Sequence, residues 1–289
     1  MPKKVLLLGA SGLLGAEIYL HLKDVFDLLP TIHKSTTDKK IVSLDITKID
    51  QFENVIASYN PDVVINCAAF TNVDQAEVSK EEAHDVNVKG VENIIRSVTK
   101  ETKIIHISSD YVFDGEKGNY KEEDPTFPIN YYGKTKLEAE NILIGSNKES
   151  LIFRLNVLYT KNLLKANFFS WIYNSLKKNT KIKVVVDQIS NPVYIPDFIK
   201  ILIDAILLNH YGIYHFGSSD SLSRYDFALK ISECFSFNSN LVIPIKSKTL
   251  NQLARRPVNS YLNCDKIKSD FNIDIFSNEY NLQRVFINK

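Results

Sequence analysis

Apolar residues along this chain come in short runs separated by amphipathic stretches. The runs at 4–8, 28–33, 41–44, 62–67, 103–108 and 151–155 are rich in Val, Ile and Leu and show little alternation, as strands do when both sheet faces are covered. Between them, 13–23, 49–59, 79–98 and 133–144 carry apolar residues at helical spacing, and Pro61 marks where a helix yields to the next strand. This alternation predicts an α/β fold, a doubly wound parallel sheet wrapped by helices. Later the rhythm changes to an aromatic helix at 168–176, a strand at 182–186, a helix at 196–208, a strand at 213–216, a helix from Arg224 and an irregular tail. The expected division is a sheet domain over 1–160, to which some later segments return, and a smaller C-terminal α/β lobe over 161–289, with no linker or repeat between them.

Composition narrows the class. At 289 residues, 44% hydrophobic and 24% charged, the chain is an ordinary globular protein, which excludes collagenous, disordered and coiled-coil classes. Its 35 basic and 34 acidic residues leave a net charge of +1, so no broad basic footprint marks a nucleic-acid partner. Cys67, Cys234 and Cys264 are odd in number and widely spaced, which suggests neither a disulfide framework nor a zinc site and points to a reducing cytoplasm. The opening MPKKVLLLGASGLLGA imitates a secretory signal, but a buried first strand running into a glycine turn also accounts for its glycine spacing. No apolar stretch approaches the ~20 residues needed to cross a bilayer, so no membrane partner is expected.

The glycine turn carries the first chemistry. Gly9, Gly12 and Gly15 follow the first strand and open a helix, the place where glycines allow a tight turn, a close backbone approach to a pyrophosphate and close helix packing. With Ser11, Leu13 and Leu14 they form the expected cofactor cradle of a Rossmann-type domain. An acidic residue ending the second strand would take the adenosine ribose. This chain has His33, Lys34 and Ser35 there, which suit a 2′-phosphate and favour NADPH over NADH, unless they are only a solvated loop. Asp45 and Ile46 are placed to meet the adenine, and Asn66, Cys67, Ala68 and Ala69 end the fourth strand with mostly small residues beside the cofactor's middle.

Carbonyl reduction needs a proton donor at the oxygen, and a tyrosine serves if a nearby cation lowers its pKa. Tyr132 and Lys136 stand one helical turn apart. The same spacing recurs at Tyr19/Lys23 and Tyr173/Lys177, but only Tyr132 follows a strand that ends in hydroxyls, Ser108 and Ser109, on the side where α/β enzymes bind ligands.

The blocks GASGLLG, AAFTNVDQAE, SSDYVFDG, YYGKTKLEAE, DQISNPV, GIYHFG and RRPVNSYL occur in this order over nearly the whole chain. Together they resemble the extended short-chain dehydrogenase/reductase family, and within it the dTDP-4-dehydrorhamnose reductase branch. The resemblance implies NADPH-dependent reduction of the C4 keto group of a nucleotide-linked 6-deoxysugar, dTDP-4-dehydro-L-rhamnose to dTDP-L-rhamnose, for polysaccharide synthesis. In that picture Tyr132 gives the proton, Lys136 holds the nicotinamide ribose and Ser109 hydrogen-bonds the reacting oxygen. Thr71 and Tyr111 line the sugar side, Thr71 and Asn87 lie near the cofactor, and Asn167 and Arg256 meet the nucleotide. Asn167 as a helix cap and Arg256 as a surface ion pair are the plainer readings. The aromatic run FFSWIY reads as core rather than a stacking platform. The resemblance also implies a homodimer and a Mg2+ at a subunit contact, although no carboxylate cluster in the sequence matches such a metal site.

Two departures stand out. RLNVLY places Val157 where the family carries a tryptophan reaching the sugar, and DQISNPV has Ser190 and Val193 in place of glycine and threonine. Alternatives are a reductase or epimerase of another nucleotide sugar, or a non-catalytic dinucleotide-binding subunit resembling the regulatory subunit of methionine adenosyltransferase. A 4,6-dehydratase would place a second acid after Asp110, where this chain has Tyr111.

Overall fold

A computed structural model describes residues 2–34, 37–163 and 165–287. β1 (Lys4–Leu8) runs between β2 (Asp27–Ile32), which has the short β3 (Val42–Ser43) outside it, and β4 (Val63–Asn66), beyond which stand β5 (Lys103–Ser109) and β6 (Ser150–Leu155). Small strands follow: β7 (Leu158–Tyr159), β8 (Ile182–Val185), β9 (Ile189–Ser190) and β10 (Val193–Tyr194). Then β11 (Gly212–Phe216) returns to the sheet beside β6. β12 (Leu222–Ser223) pairs with β9, β13 (Val242–Ile245) with β8, and β10 with β7. Among the described residues the main sheet has seven strands, all parallel, in the order β3-β2-β1-β4-β5-β6-β11. Strand order reverses between β1 and β4, which makes their carboxyl ends the place where such sheets bind ligands.

Both sheet faces are covered, which is why the strands lack alternation. Val5 and Leu7 point to one side, against α1 (Leu13–Leu22) and, from the later chain, α8 (Ile195–Leu207). Leu6 and Leu8 point to the other, against α2 (Ile49–Tyr59), α5 (Gly90–Ser97) and α6 (Tyr131–Gly145). The lobe has its own core, where aromatics of α7 (Phe168–Lys177) meet α9 (Arg224–Cys234) and the terminal helix α11 (Asn278–Ile287).

Three local readings change. The stretch 79–98 is not one helix. A short α3 (Val73–Val78), capped by the Asn72 side chain, precedes α4 (Lys80–His84), and a π-helical turn over Asp85–Lys89 separates α4 from α5. The strand expected at 41–44 shrinks to Val42–Ser43. The tail is not irregular but forms α10 (Asp265–Asp270) and α11. Their few apolar residues give a faint periodicity, yet Ile267 is buried in the sheet core and Leu282 and Val285 in the lobe core.

Candidate active site

The turn after β1 can be built only with glycine at two points. Gly9 holds φ +80°, and a Cβ there would meet the Ala68 amide nitrogen at 2.7 Å. At Gly15 a Cβ would lie 2.2 Å from the Gly9 carbonyl oxygen, so α1 could not pack this close to the turn. Gly12, the N-cap of α1, has no such conflict: its Cβ would meet only the Gly9 oxygen at 3.4 Å. The helix thus presents its free amides and positive end to the space above the sheet.

Two cavities open there. The first, of about 290 Å³, is lined by Gly9, Ser11, Gly12, His33, Asp45, Ile46, Cys67, Ala68 and Ala69, and also by Glu82 and Val86, which sequence reasoning missed. His33 stands exposed at its rim, 3.8 Å from the Asp45 carboxylate. Burial acts to raise Asp45, but hydrogen bonds from Thr47 and the nearby His33 outweigh it and hold the carboxyl low. Lys34 is exposed beside His33, and Ser35 lies outside the described residues. Asn87, buried in the π-helical turn, stands behind this wall: it accepts from the Phe70 amide at 2.8 Å and donates to Thr135 Oγ1 at 2.9 Å, tying the chain after β4 to α6. Turns of this kind often mark functional sites.

The second cavity, of about 540 Å³, shares Gly12, Cys67 and Ala69 with the first and adds Leu13, Leu14, Gly15, Thr71, Ser109, Tyr111, Tyr132, Lys136 and Asn167. A long ligand laid over the glycine turn can therefore occupy both. Asn130 caps α6, accepting from the Gly133 amide at 2.8 Å. A Cβ at Gly133 would sit 2.1 Å from the Tyr111 carbonyl oxygen, so this glycine lets α6 lie against the turn after β5. That contact brings the Tyr111 and Tyr132 rings edge to face, 5.9 Å apart. The Tyr132 hydroxyl lies beside Ser109, whose Oγ donates to Asp110 Oδ1 at 2.9 Å. Burial, with the Asp110 carboxylate, pushes the Tyr132 hydroxyl well above its usual range, so it holds its proton, and the lowering by a nearby cation expected from the sequence is not found in the free protein. Burial also raises Asp110 to about 6, against hydrogen bonds from Ser260 and Ser109. Lys136 is 1% exposed and donates to the Ile107 carbonyl at 2.7 Å; burial pulls it down to about 8.

Two predicted substrate residues sit differently from the rest. Asn167 does line the cavity, but its side chain also caps α7, accepting from the Ser170 amide at 3.0 Å. Arg256 is not among the cavity's lining residues; its mostly buried guanidinium is paired with Asp74 at 3.0 Å, and its Nη1 is buried without a hydrogen-bond partner. An arginine that sequence reasoning missed, Arg224, lines the cavity instead, 4.8 Å from the Phe168 ring centroid. Arg224 stands at the start of the lobe's α9 with no motif to announce it. Val157 also lines this cavity. The implied Mg2+ gains no support, because among the described residues no three His, Cys, Asp or Glu side chains gather in a way that could hold a metal. No helix among the described residues is long and apolar enough to cross a membrane.

Comparison with known proteins agrees with this geometry. The family model for the RmlD substrate binding domain matches residues 3–288. A dTDP-4-dehydrorhamnose reductase of Aggregatibacter actinomycetemcomitans is 36% identical over 285 residues, covering 93% of this chain and 94% of that protein. The structure of dTDP-4-dehydrorhamnose reductase from Bacillus anthracis in complex with NADP superposes with a TM-score of 0.92 at 31% identity, over all of both chains. Methionine adenosyltransferase 2 subunit beta of Xenopus tropicalis is 27% identical, covering 92% of this chain and 82% of that protein. The chain belongs to the RmlD substrate-binding-domain family.

Proposed function

We propose that the protein is an NADPH-dependent reductase that converts the C4 ketone of dTDP-4-dehydro-L-rhamnose to the alcohol of dTDP-L-rhamnose. The observation that carries this reading is the convergence of Ser109, Tyr132 and Lys136 on a cavity continuous with the glycine turn. The turn's residues fit a dinucleotide: a side chain at Gly9 would strike the backbone after β4, and Gly12 leaves its face open to both cavities. The adenosine half would lie against Asp45 and Ile46, the 2′-phosphate toward His33 and Lys34, and the pyrophosphate over the amides that open α1. The bound nicotinamide would supply the hydride.

The chain's own residues do the rest. Tyr132, protonated at any working pH, delivers its proton to the alkoxide oxygen as charge develops there. Ser109 helps orient that oxygen, and to do so it turns toward the substrate the O–H it now donates to Asp110. Lys136 holds the nicotinamide ribose and stabilises the phenolate left on Tyr132. Val157 leaves the sugar end of the cavity wide and aliphatic, and Arg224 and Asn167 stand where a nucleotide diphosphate could be met. An intact Ser109, Tyr132 and Lys136 set supports turnover over a purely dinucleotide-binding role.

The test is NADPH oxidation, followed by absorbance, with dTDP-4-dehydro-L-rhamnose. Turnover is expected, and Tyr132→Phe should lower it by about 10²–10⁴-fold while NADPH affinity stays nearly unchanged. NADPH binding without consumption of this sugar would reassign the substrate to another nucleotide sugar.

A further inference from the structure

We propose that His106, oriented by Asn66, is a positioning residue that controls whether Lys136 carries a proton, and that NADPH binding draws a proton from solvent onto Lys136 Nζ. The inference rests on the reading above only in naming NADPH as the ligand; its core is a count of donors and acceptors in a buried row.

Asn66 ends β4 and His106 is its register partner on β5, so their side chains stand side by side; each is 1% exposed. Asn66 Oδ1 accepts from the Ala68 amide at 3.1 Å, which fixes the amide's orientation and turns its NH2 toward His106. That NH2 lies 3.1 Å from His106 Nδ1 and can only donate, so Nδ1 must be the bare, accepting nitrogen. His106 is neutral, because burial, the largest cause, holds it well below the usual histidine value. Its one proton therefore sits on Nε2, which faces Lys136 Nζ at 3.2 Å.

An ammonium at that point would set N–H against N–H. A neutral amine fits, accepting from Nε2–H and donating to the Ile107 carbonyl at 2.7 Å. The other groups facing Lys136 are Glu140 on its own helix and the Cys67 thiol just after β4, which burial keeps protonated, while Tyr132 lines the same cavity. Glu140 favours the charged lysine, but its carboxylate is already engaged by Arg154 and Ser108. Protonating Lys136 in place would require His106 to move its proton to Nδ1 and Asn66 to turn, which strips the Ala68 amide of its acceptor. A ribose hydroxyl arriving in the cavity offers Nζ a new acceptor and removes that conflict.

Two measurements test this on the full chain. Histidine side-chain 15N shifts of the free protein at pH 9 should show His106 protonated at Nε2 and bare at Nδ1; a proton on Nδ1 overturns the proposal whatever the ligand. Calorimetry of NADPH binding in buffers of different ionisation enthalpy should show uptake of roughly 0.5–1 proton at pH 9, falling toward none at pH 6.5. Asn66→Asp would accept from Nδ1–H, drawing the imidazole proton to that nitrogen and leaving Nε2 free to accept from an ammonium, and His106→Gln could turn its oxygen to Nζ. Both should cut uptake at pH 9 at least twofold while NADPH still binds. No uptake by the unsubstituted protein at pH 9, or full uptake in both variants, overturns the proposal. Failure to bind NADPH would sink the reductase reading, and the 15N measurement would still decide this one.

Discussion

The Arg154 guanidinium meets the Glu140 carboxylate through two nitrogens, Nη2 at 2.7 Å and Nε at 3.1 Å, with both side chains out of solvent. The pair reaches further on both sides. Ser108 Oγ donates to the same carboxylate, Arg154 Nη1 lies 3.3 Å from His215 Nε2, and His215 Nδ1 donates to the Tyr120 carbonyl at 3.0 Å. This network ties α6, which carries Tyr132 and Lys136, to β5, β6 and β11. Glu140→Ala would strand the arginine in the interior and should cost about 3–5 kcal/mol. Urea unfolding measures it, and a loss below about 1 kcal/mol would mean that water reaches the pair.

Acid should weaken the fold before most carboxylates titrate. His215 is held at about 3 and His106 well below its usual value, both chiefly by burial, so each is neutral when folded. Their folded pKa values lie below the unfolded value near 6.5, and the stability they contribute is therefore lost as pH falls below that point. Asp110 acts the other way. Raised to about 6, it takes up a proton in the folded state first, and its contribution favours the fold as pH falls from 6 toward 4. Among these three groups, two protons bound by the unfolded chain against one by the folded chain make stability fall with pH in that window, and the partly buried Glu122, also raised, trims the loss. Urea midpoints at pH 7, 6, 5 and 4 should decline; a rise between pH 6 and 4 would show that Asp110 dominates.

Glycines of the turn should separate stability from binding. Gly15→Ala drives a methyl into the Gly9 carbonyl at 2.2 Å and should destabilise by about 1–3 kcal/mol. Gly12→Ala meets nothing closer than 3.4 Å and should leave the unfolding midpoint nearly unchanged, yet its methyl stands in the wall shared by both cavities. NADPH affinity should fall at least tenfold in that variant, read by fluorescence titration. Unchanged affinity would place the pyrophosphate elsewhere.

Lys34→Ala tests the cofactor's phosphate. An exposed charge contact is worth little, so NADPH should bind about twofold to fivefold more weakly while NADH is unaffected. Equal effects on both would make Lys34 a bystander.

The parts of the site that could be read from sequence are those whose geometry is local. Gly9, Gly12 and Gly15 lie within one turn, and Tyr132 and Lys136 within one turn of one helix, so spacing alone places them together. Ser109 was legible because it ends a strand. His106 and Asn66 were not legible as a pair: forty positions separate them, and only the pairing of β4 with β5 makes them neighbours. Arg224 comes from another core altogether, and Arg256 was claimed by Asp74, a contact no short-range pattern announces. The same limit explains the fold. The buried strands announced themselves by composition, whereas the π-helical turn after α4 and the terminal helices owe their shape to what they pack against.

The late return of β11 has a consequence for how the molecule is made. As the chain emerges from the ribosome, β6 is complete at Leu155 but stays an open edge until Gly212–Phe216 arrives. During that interval its apolar face lacks α8, and Arg154 lacks His215. A fragment ended near residue 160 would keep this exposed edge permanently, an invitation to pair with another chain. The lobe is thus stitched into the sheet by the strand that follows its first helices, and cutting it away should yield aggregate rather than a free-standing dinucleotide-binding module.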